Sequence, residues 1–468
     1  MDLLLKNAVI VSVNPEREIF FHGAMAVDNG RIVAVGDEAD VLKAHPTADT
    51  VMDLDGKVVF PGFINTHNHL FQTLLKGLGD DMVLSDWLST MTFPAAQYLE
   101  PEDTYHAAMI GCMEGIRSGM TTQFDYMYPH PREGLDDGIL RAFKELRIRG
   151  IFGRGCMNTG EQFGVCPAIM QDMKAIEADL VHLFDTYHDA EDGRIKIWAA
   201  PAALWSNDEK NLRMLWDVVN SYGSGMTVHV SETPFDRAST AKLHGAEGTD
   251  CLEKLGIVGP NVLMVHCVYL NHRDIECAKR HDLKVSYNPV SNMYLSSGIA
   301  PIPEMLRAGV TVGLGVDGAA SNNGQDMIEL MKTASLLQKV GTLDPTSITA
   351  EKVLEMATID GARAVGLEEE IGSLEVGKKA DFVIFNPYRN PKAVPMHNPV
   401  STLVYSSTME NIESVAVDGE FVLLEGRFTR IDDEQAILHD AQRAAEDLCM
   451  RGGISNRLEG HAWRSPAF

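Results

Sequence analysis

Cysteine pairs, long apolar runs and an excess of positive charge are all missing from this chain, and each absence removes a class of function. The seven cysteines, at positions 112, 156, 166, 251, 267, 277 and 449, are scattered and never spaced Cys-x-x-Cys. They read as free thiols of a reducing cytoplasm, not as a disulfide framework or a zinc-thiolate site. No stretch approaches the roughly 20 consecutive apolar residues needed to cross a bilayer. The start Met1-Asp2-Leu3-Leu4-Leu5-Lys6 has neither the basic lead nor the apolar core of a signal peptide. Lys and Arg number 40 against 66 Asp and Glu, a net charge of -26, which disfavours nucleic acid and anionic membrane as partners. The expectation is a cytoplasmic protein whose partner is a small molecule.

What is present is length and apolar content: 468 residues, 45% hydrophobic, enough for a large barrel and a smaller unit beside it. Residues 1–58 read as short strands with tight turns. The clearest is Met25–Val35, a hairpin around Asn29-Gly30. The same grammar returns in 373–432, with a strand at Ala380–Phe385 and a hairpin around Asp418-Gly419. The expectation is one small β-sandwich domain built from both ends.

Between them, 59–372 alternates short apolar runs with helical periods. The expected strands are Val58–Ile64, Met120–Tyr126, Gly150–Met157, Ile195–Ala200, Met226–Val230, Asn261–Val268, Lys284–Tyr287 and Val310–Val316. Helices such as Thr104–Ser118 and Asn211–Ser221 fall between them. This is the pattern of an α/β fold of the (β/α)₈ (TIM) barrel type. Residues 433–468 read as a terminal helix (433–450) and a tail.

Residues two apart on a strand share a face, so His67 and His69 project together where the first strand runs out. In a parallel barrel the chemistry gathers at the carboxyl ends of the strands. There the fifth strand supplies His229 and, just beyond it, Glu232. The sixth ends at His266 and the eighth at Asp317. Neutral imidazoles with a carboxylate suit zinc or ferrous iron. A lone strand-end histidine is usually structural, but the convergence of all of these is a metal site.

In this order, the residues resemble the amidohydrolase superfamily, and within it the aminohydrolase branch that deaminates heteroaromatic rings. That branch includes the atrazine chlorohydrolase and melamine deaminase group and the guanine and 8-oxoguanine deaminases. The resemblance spans essentially the whole chain. It is most specific in Val265-His266-Cys267-Val268-Tyr269, Asp317-Gly318-Ala319-Ala320-Ser321-Asn322-Asn323 and Met356-Ala357-Thr358-Ile359-Asp360-Gly361-Ala362. It implies that His67, His69, His229 and Asp317 bind one divalent metal, Zn or Fe(II). It also implies that Glu232 is the general acid/base, that His266 touches the activated water or the substrate, and that Asp317 helps protonate a leaving amine. Lys196 lies before the end of its strand and does not match the carboxylated lysine of the two-metal branches.

Gln72 and Trp87 match positions that line the substrate pocket in relatives, with Met157 and Ser321 as further substrate-binding candidates. Asn158, Glu161 and Phe163 also follow the third strand. The acidic pair Asp80-Asp81 reads as a solvated loop. The implied reaction is hydrolytic deamination of a purine, pterin, pyrimidine or triazine by a homo-oligomer. The rival reading is a triazine hydrolase that removes chloride or an alkylamine; Val265–Ser297 and Pro301–Met305 look close to those enzymes. Against it, Gly318 stands where the chlorohydrolase branch carries Asn. A scaffold that kept the fold without catalysis would tend to lose ligands, and this chain keeps them.

Overall fold

The computed structural model describes residues 1–454; the tail expected beyond the last helix lies outside the described residues. Strands β1 (Leu3–Val11), β2 (Ile19–Asp28), β3 (Arg31–Asp37), β4 (Thr50–Asp53) and β5 (Val58–Pro61) open the chain. The barrel follows as β6 (Phe63–Asn65), β7 (Met120–Met127), β8 (Arg149–Cys156), β9 (Ile195–Pro201), β10 (Met226–Val230), β11 (Val262–His266), β12 (Lys284–Tyr287) and β13 (Val312–Leu314). Strands β14 (Phe382–Phe385), β15 (Ile412–Val417), β16 (Glu420–Leu424) and β17 (Arg427–Phe428) come last, before a helix at Glu434–Arg451.

The two ends of the chain meet in one nine-stranded mixed sheet, ordered β17-β16-β15-β14-β5-β1-β2-β3 with β4 beside β1. The seam is antiparallel, with Phe382 opposite Pro61 and Ile384 opposite Val59. Both predicted hairpin turns form, with positive φ at Asn29, Gly30, Asp418 and Gly419. They also pack on each other: a Cβ on Gly30 would stand 2.8 Å from the carbonyl oxygen of Asp418.

The other eight strands pair in parallel in chain order from β6 to β13. The ring closes where Thr66 N–H donates to Leu314 C=O at 2.9 Å and Asp317 N–H to His67 C=O at 3.0 Å. The expected single strand Val58–Ile64 is in fact two. Gly62 N–H donates to Asp381 C=O in the outer sheet, and the next residue, Phe63, donates to Gly119 C=O in the barrel. Gly62 permits the change of sheet because a Cβ there would lie 2.1 Å from Thr121 Oγ1.

Helices start a few residues before their apolar period does, because caps carry no such period. One helix runs Pro101–Arg117, with Pro101 in its first turn and a Glu100/Asp103 capping box. Another runs Glu209–Ser221, capped by Asp208. A buried arginine fastens barrel to sheet: Arg149 on β8 donates twice to Asp381, both at 3.0 Å, and once to Asp418 at 2.5 Å. All seven cysteines are unpaired. No helix among the described residues is long and apolar enough to cross a membrane.

Candidate active site

The closed ring forces the expected side chains together. His67 and His69 follow β6, His229 sits on β10, His266 ends β11, and Asp317 lies just past β13. Ser231, His266, Cys267 and Asp317 all adopt left-handed φ, between 53° and 70°, which turns the chain sharply where the strands end.

His67 is fully buried and neither ring nitrogen has a hydrogen-bond partner. Its Nε2 lies 3.4 Å from Asp317 Oδ1. His69 Nε2 lies 3.6 Å from the same oxygen and 3.3 Å from His229 Nε2. A carbonyl only accepts, so the contacts from His69 Nδ1 to Tyr126 C=O (2.7 Å) and from His229 Nδ1 to Ala202 C=O place the proton on each Nδ1. Both Nε2 lone pairs are left facing the same point. Burial holds the His67 imidazole down at about 3, so it stays neutral. Buried lone pairs converging on a carboxylate oxygen, with an orphaned histidine among them, fit a divalent cation, and the carbonyls that orient the rings are the usual outer support of such ligands.

His266 is placed differently. The Asn292 amide Nδ2 donates to His266 Nδ1 at 3.0 Å, so Nε2 carries the proton. That Nε2–H lies 3.6 Å from Glu232 Oε2 and 3.9 Å from Asp317 Oδ2. Burial, with Asp317 nearby, pushes the Glu232 carboxyl up to about 8, against the hydrogen bond it accepts from Ser297 Oγ at 3.1 Å. Burial would raise Asp317, but the imidazoles packed around it, His67 first with its Nε2 at 3.4 Å, then His266 and His69, outweigh that and hold it well below the usual carboxylate range. Two neighbouring carboxyls are therefore driven apart in proton affinity, the pattern by which acid and base roles separate.

A cleft opens above these groups. Gln72, Trp87, Met157 and Ser321 all line it, together with Glu232, His266 and Asp317. The Trp87 indole N–H donates to Ala320 C=O at 2.9 Å, and Gln72 Nε2 donates to Tyr128 OH at 3.2 Å. Asn158, Glu161 and Phe163 do not reach the cleft. Asn158 Oδ1 accepts from Asp208 N–H at 2.9 Å, and Phe163 packs behind Trp205 at 6.2 Å between ring centroids.

Sequence reasoning missed Tyr128, Trp205 and Asp236, all in the lining. The first two follow the ends of β7 and β9, so the strand-end rule could have found them. Asp236 sits in the first turn of a helix, where acidic residues are common; its carboxylate accepts Glu232 N–H at 3.0 Å. Asn292 carries no motif at all. Lys196 pairs with Asp189 and takes no part. Asp80 is exposed but not merely solvated, since Tyr294 OH and Asn323 Nδ2 both donate to it.

Residues 58–422 match the amidohydrolase family, and residues 23–48 match the imidazolonepropionase-like composite domain of bacteria. A 5'-deoxyadenosine deaminase of Methanobrevibacter smithii is 36% identical over 447 residues, 95% of this chain and 98% of that protein. A 5-methylthioadenosine/S-adenosylhomocysteine deaminase of Desulforudis audaxviator is 37% identical over 448 residues, 96% of this chain and 99% of that protein. Among solved structures, an adenosine deaminase of Xanthomonas campestris with bound zinc superposes with a TM-score of 0.88 at 27% identity, covering 96% of this chain and 99% of that one. Atrazine chlorohydrolase of Arthrobacter aurescens shares the fold at a TM-score of 0.88 and 22% identity, over 95% of this chain and 100% of that one. The chain belongs to the amidohydrolase family.

Proposed function

We propose that this protein is a metal-dependent hydrolytic deaminase of an aminated N-heteroaromatic ring. His67, His69, His229 and Asp317 would hold one divalent ion, zinc or ferrous iron. When bound, such an ion supplies Lewis-acid chemistry and lowers the pKa of water toward about 7. Glu232 is the proton carrier: it takes the proton of the attacking water and delivers it to a ring nitrogen as water adds at the amino-bearing carbon. His266 donates its Nε2–H to the developing oxyanion or the ring. Asp317, ionised, takes the remaining proton of the added hydroxyl and passes it to the amine, so that ammonia leaves and a ring carbonyl remains. Trp87 offers a face for stacking, and the Gln72 amide reads a ring nitrogen or an exocyclic group.

The observation that carries this reading is geometric: donor atoms of His67, His69, His229 and Asp317 converge, and Glu232 and the His266 Nε2–H stand beside them at the floor of an aromatic cleft. The names of the relatives at 36% and 37% identity support adenosine derivatives, 5'-deoxyadenosine among them, as the first rings to try. The test is ammonia release across a panel of aminated purines, pterins, pyrimidines and triazines, using protein of measured metal content. No ammonia from any ring with the metal site full would sink the proposal. Faster turnover of a chloro than of an amino ring at the same carbon would favour the triazine hydrolase reading instead.

A further inference from the structure

One short segment touches both of the groups assigned to proton movement. After β12 the chain forms a six-residue helix, Pro289–Tyr294, and then a loop that carries Ser297. From the helix, the Asn292 amide donates to His266 Nδ1 at 3.0 Å. From the loop, Ser297 Oγ donates to Glu232 Oε1 at 3.1 Å. Both side chains are buried, and neither is in the lining of the cleft. What they contribute therefore passes through His266 and Glu232 and not through contact with a substrate. The segment is anchored firmly enough to set position. Ser297 N–H donates to Asn292 C=O at 2.8 Å, which ties the two residues to each other. Ahead of the helix, Asn288 Nδ2 donates to Gly315 C=O at 2.9 Å; beyond the loop, Ala300 C=O accepts from Gln338 Nε2 at 3.0 Å. Ser297 stands between two left-handed residues, Ser296 at φ 55° and Gly298 at φ 134°. A Cβ on Gly298 would lie 2.9 Å from Val268 Cγ1. Such backbone persists only where its surroundings over-determine it, and here it presents Ser297 to Glu232.

The two bonds decide which atoms carry protons. Glu232 Oε1 is occupied by the Ser297 hydroxyl, so the oxygen left to take a proton is Oε2, the one 3.6 Å from His266 Nε2. A neutral imidazole carries a single N–H. His266 Nε2 faces two carboxylate oxygens, Glu232 Oε2 at 3.6 Å and Asp317 Oδ2 at 3.9 Å, which favours the proton on that nitrogen. Asn292 completes the setting by offering Nδ1 a donor, so that the other nitrogen must be the protonated one.

We propose that Asn292 and Ser297 are positioning residues, and that residues 289–297 act as one unit that aims the His266 Nε2–H and Glu232 Oε2 at the same reacting atoms. The effect on turnover rests on the deaminase reading. The choice of nitrogen on His266 does not, so the two can fail separately.

The first measurement needs no turnover. In metal-loaded protein with ¹⁵N-labelled histidine, the His266 ring, identified by its loss in His266→Ala, should show a protonated Nε2 and a bare Nδ1. The opposite tautomer would overturn the proposal. The second is kinetic, on the ring that releases ammonia fastest. Ser297→Ala and, separately, Asn292→Leu should each lower kcat by about tenfold or more, within the roughly 10²–10⁴-fold that an acid/base group supplies. KM should stay within about threefold and the metal should be retained, since neither residue touches substrate or ligand set. Where Asn292→Leu does not fold, Asn292→Ala takes its place. Ser297→Ala should cost almost nothing further in protein already carrying Glu232→Gln, and Asn292→Leu almost nothing further in protein carrying His266→Ala, because effects that act through one group do not add. Full additivity in either cycle, an unchanged kcat, or a loss that falls on KM would overturn the proposal. Absence of ammonia from every ring, with the expected tautomer observed, would remove the deaminase reading and leave the setting of His266 standing.

Discussion

Replacing Gly318 with alanine should uncouple substrate recognition from the proton machinery, and the structure sets the size of the effect. Gly318 follows Asp317 and lies against Gln72. A Cβ at 318 would stand 1.9 Å from Gln72 Oε1, 2.5 Å from Gln72 Cδ and 3.1 Å from His69 Cβ. A C–H···O contact needs about 3.3 Å, so Gln72 must move by more than an ångström. Its side chain is buried, and leaving that position breaks the bond to Tyr128 OH. Overpacking of this kind costs about 1–3 kcal/mol of stability. Losing a buried amide's contact with the ring costs about 1–3 kcal/mol more in the transition state, roughly 5- to 150-fold in kcat/KM. The assay is a double-mutant cycle with Gln72→Ala, read in kcat/KM and in the denaturation midpoint. Gly318→Ala should be costly alone and nearly free on the Gln72→Ala background, because the smaller side chain has already vacated the space. Additive effects, or a Gly318→Ala protein indistinguishable from the parent, would refute the steric argument. Glycine at this position would then have no steric cause.

Glu232→Gln should keep fold and metal while turnover falls by about 10²–10⁴-fold, the usual worth of a general acid/base; near-normal turnover would remove the assigned role. Burial raises the Glu232 carboxyl to about 8, so its ionised, proton-accepting form is lost as pH falls through its pKa. The profile of kcat/KM should therefore show an acidic limb, set below that value once a divalent cation favours the carboxylate, and a profile flat from about pH 5 to 9 would contradict it. Metal analysis should give one divalent ion per chain, with His67→Ala losing it; two full equivalents would end the single-ion reading. Arg149→Met should leave Asp381 and Asp418 without their buried partner and cost about 3–5 kcal/mol in a denaturant titration, with no change in metal content.

The site was legible because strand ends are simple to find. An apolar run that stops at a histidine or an aspartate gives both a position and a direction, and His67, His69, His229, His266 and Asp317 all announced themselves that way. Glu232 required only a short count onward from His229. Asp236 and Asn292 were invisible because their types are common and their partners, Glu232 N–H and His266 Nδ1, are fixed only by tertiary packing. The division of Val58–Ile64 at Gly62 was invisible for a related reason. Both halves are apolar, and which sheet each joins depends on Asp381 and Gly119, far away in the chain.

The opposite settings of the histidine rings follow from the same packing. His69 and His229 give their Nδ1 protons to carbonyls of the neighbouring strand segments, Tyr126 and Ala202, and so direct bare Nε2 lone pairs inward. His266 accepts at Nδ1 from Asn292 and so directs an Nε2–H inward. Identical side chains at equivalent strand ends thus become metal-type donors in two cases and a hydrogen-bond donor in the third. Left-handed backbone of the kind seen at Ser231, His266, Cys267 and Asp317 costs of order 1–3 kcal/mol for each residue. It persists because the ring fixes the chain on either side: Cys267 N–H donates to Val230 C=O at 3.1 Å, Tyr269 N–H to Ser231 C=O at 2.9 Å, and Asp317 N–H to His67 C=O at 3.0 Å. A strand that simply continued would send successive side chains to opposite faces of the ring. The turn brings His266 and Asp317 across to Glu232, so the strain is what converts a ring of strand ends into a site able to hold a cation on one side and move a proton on the other.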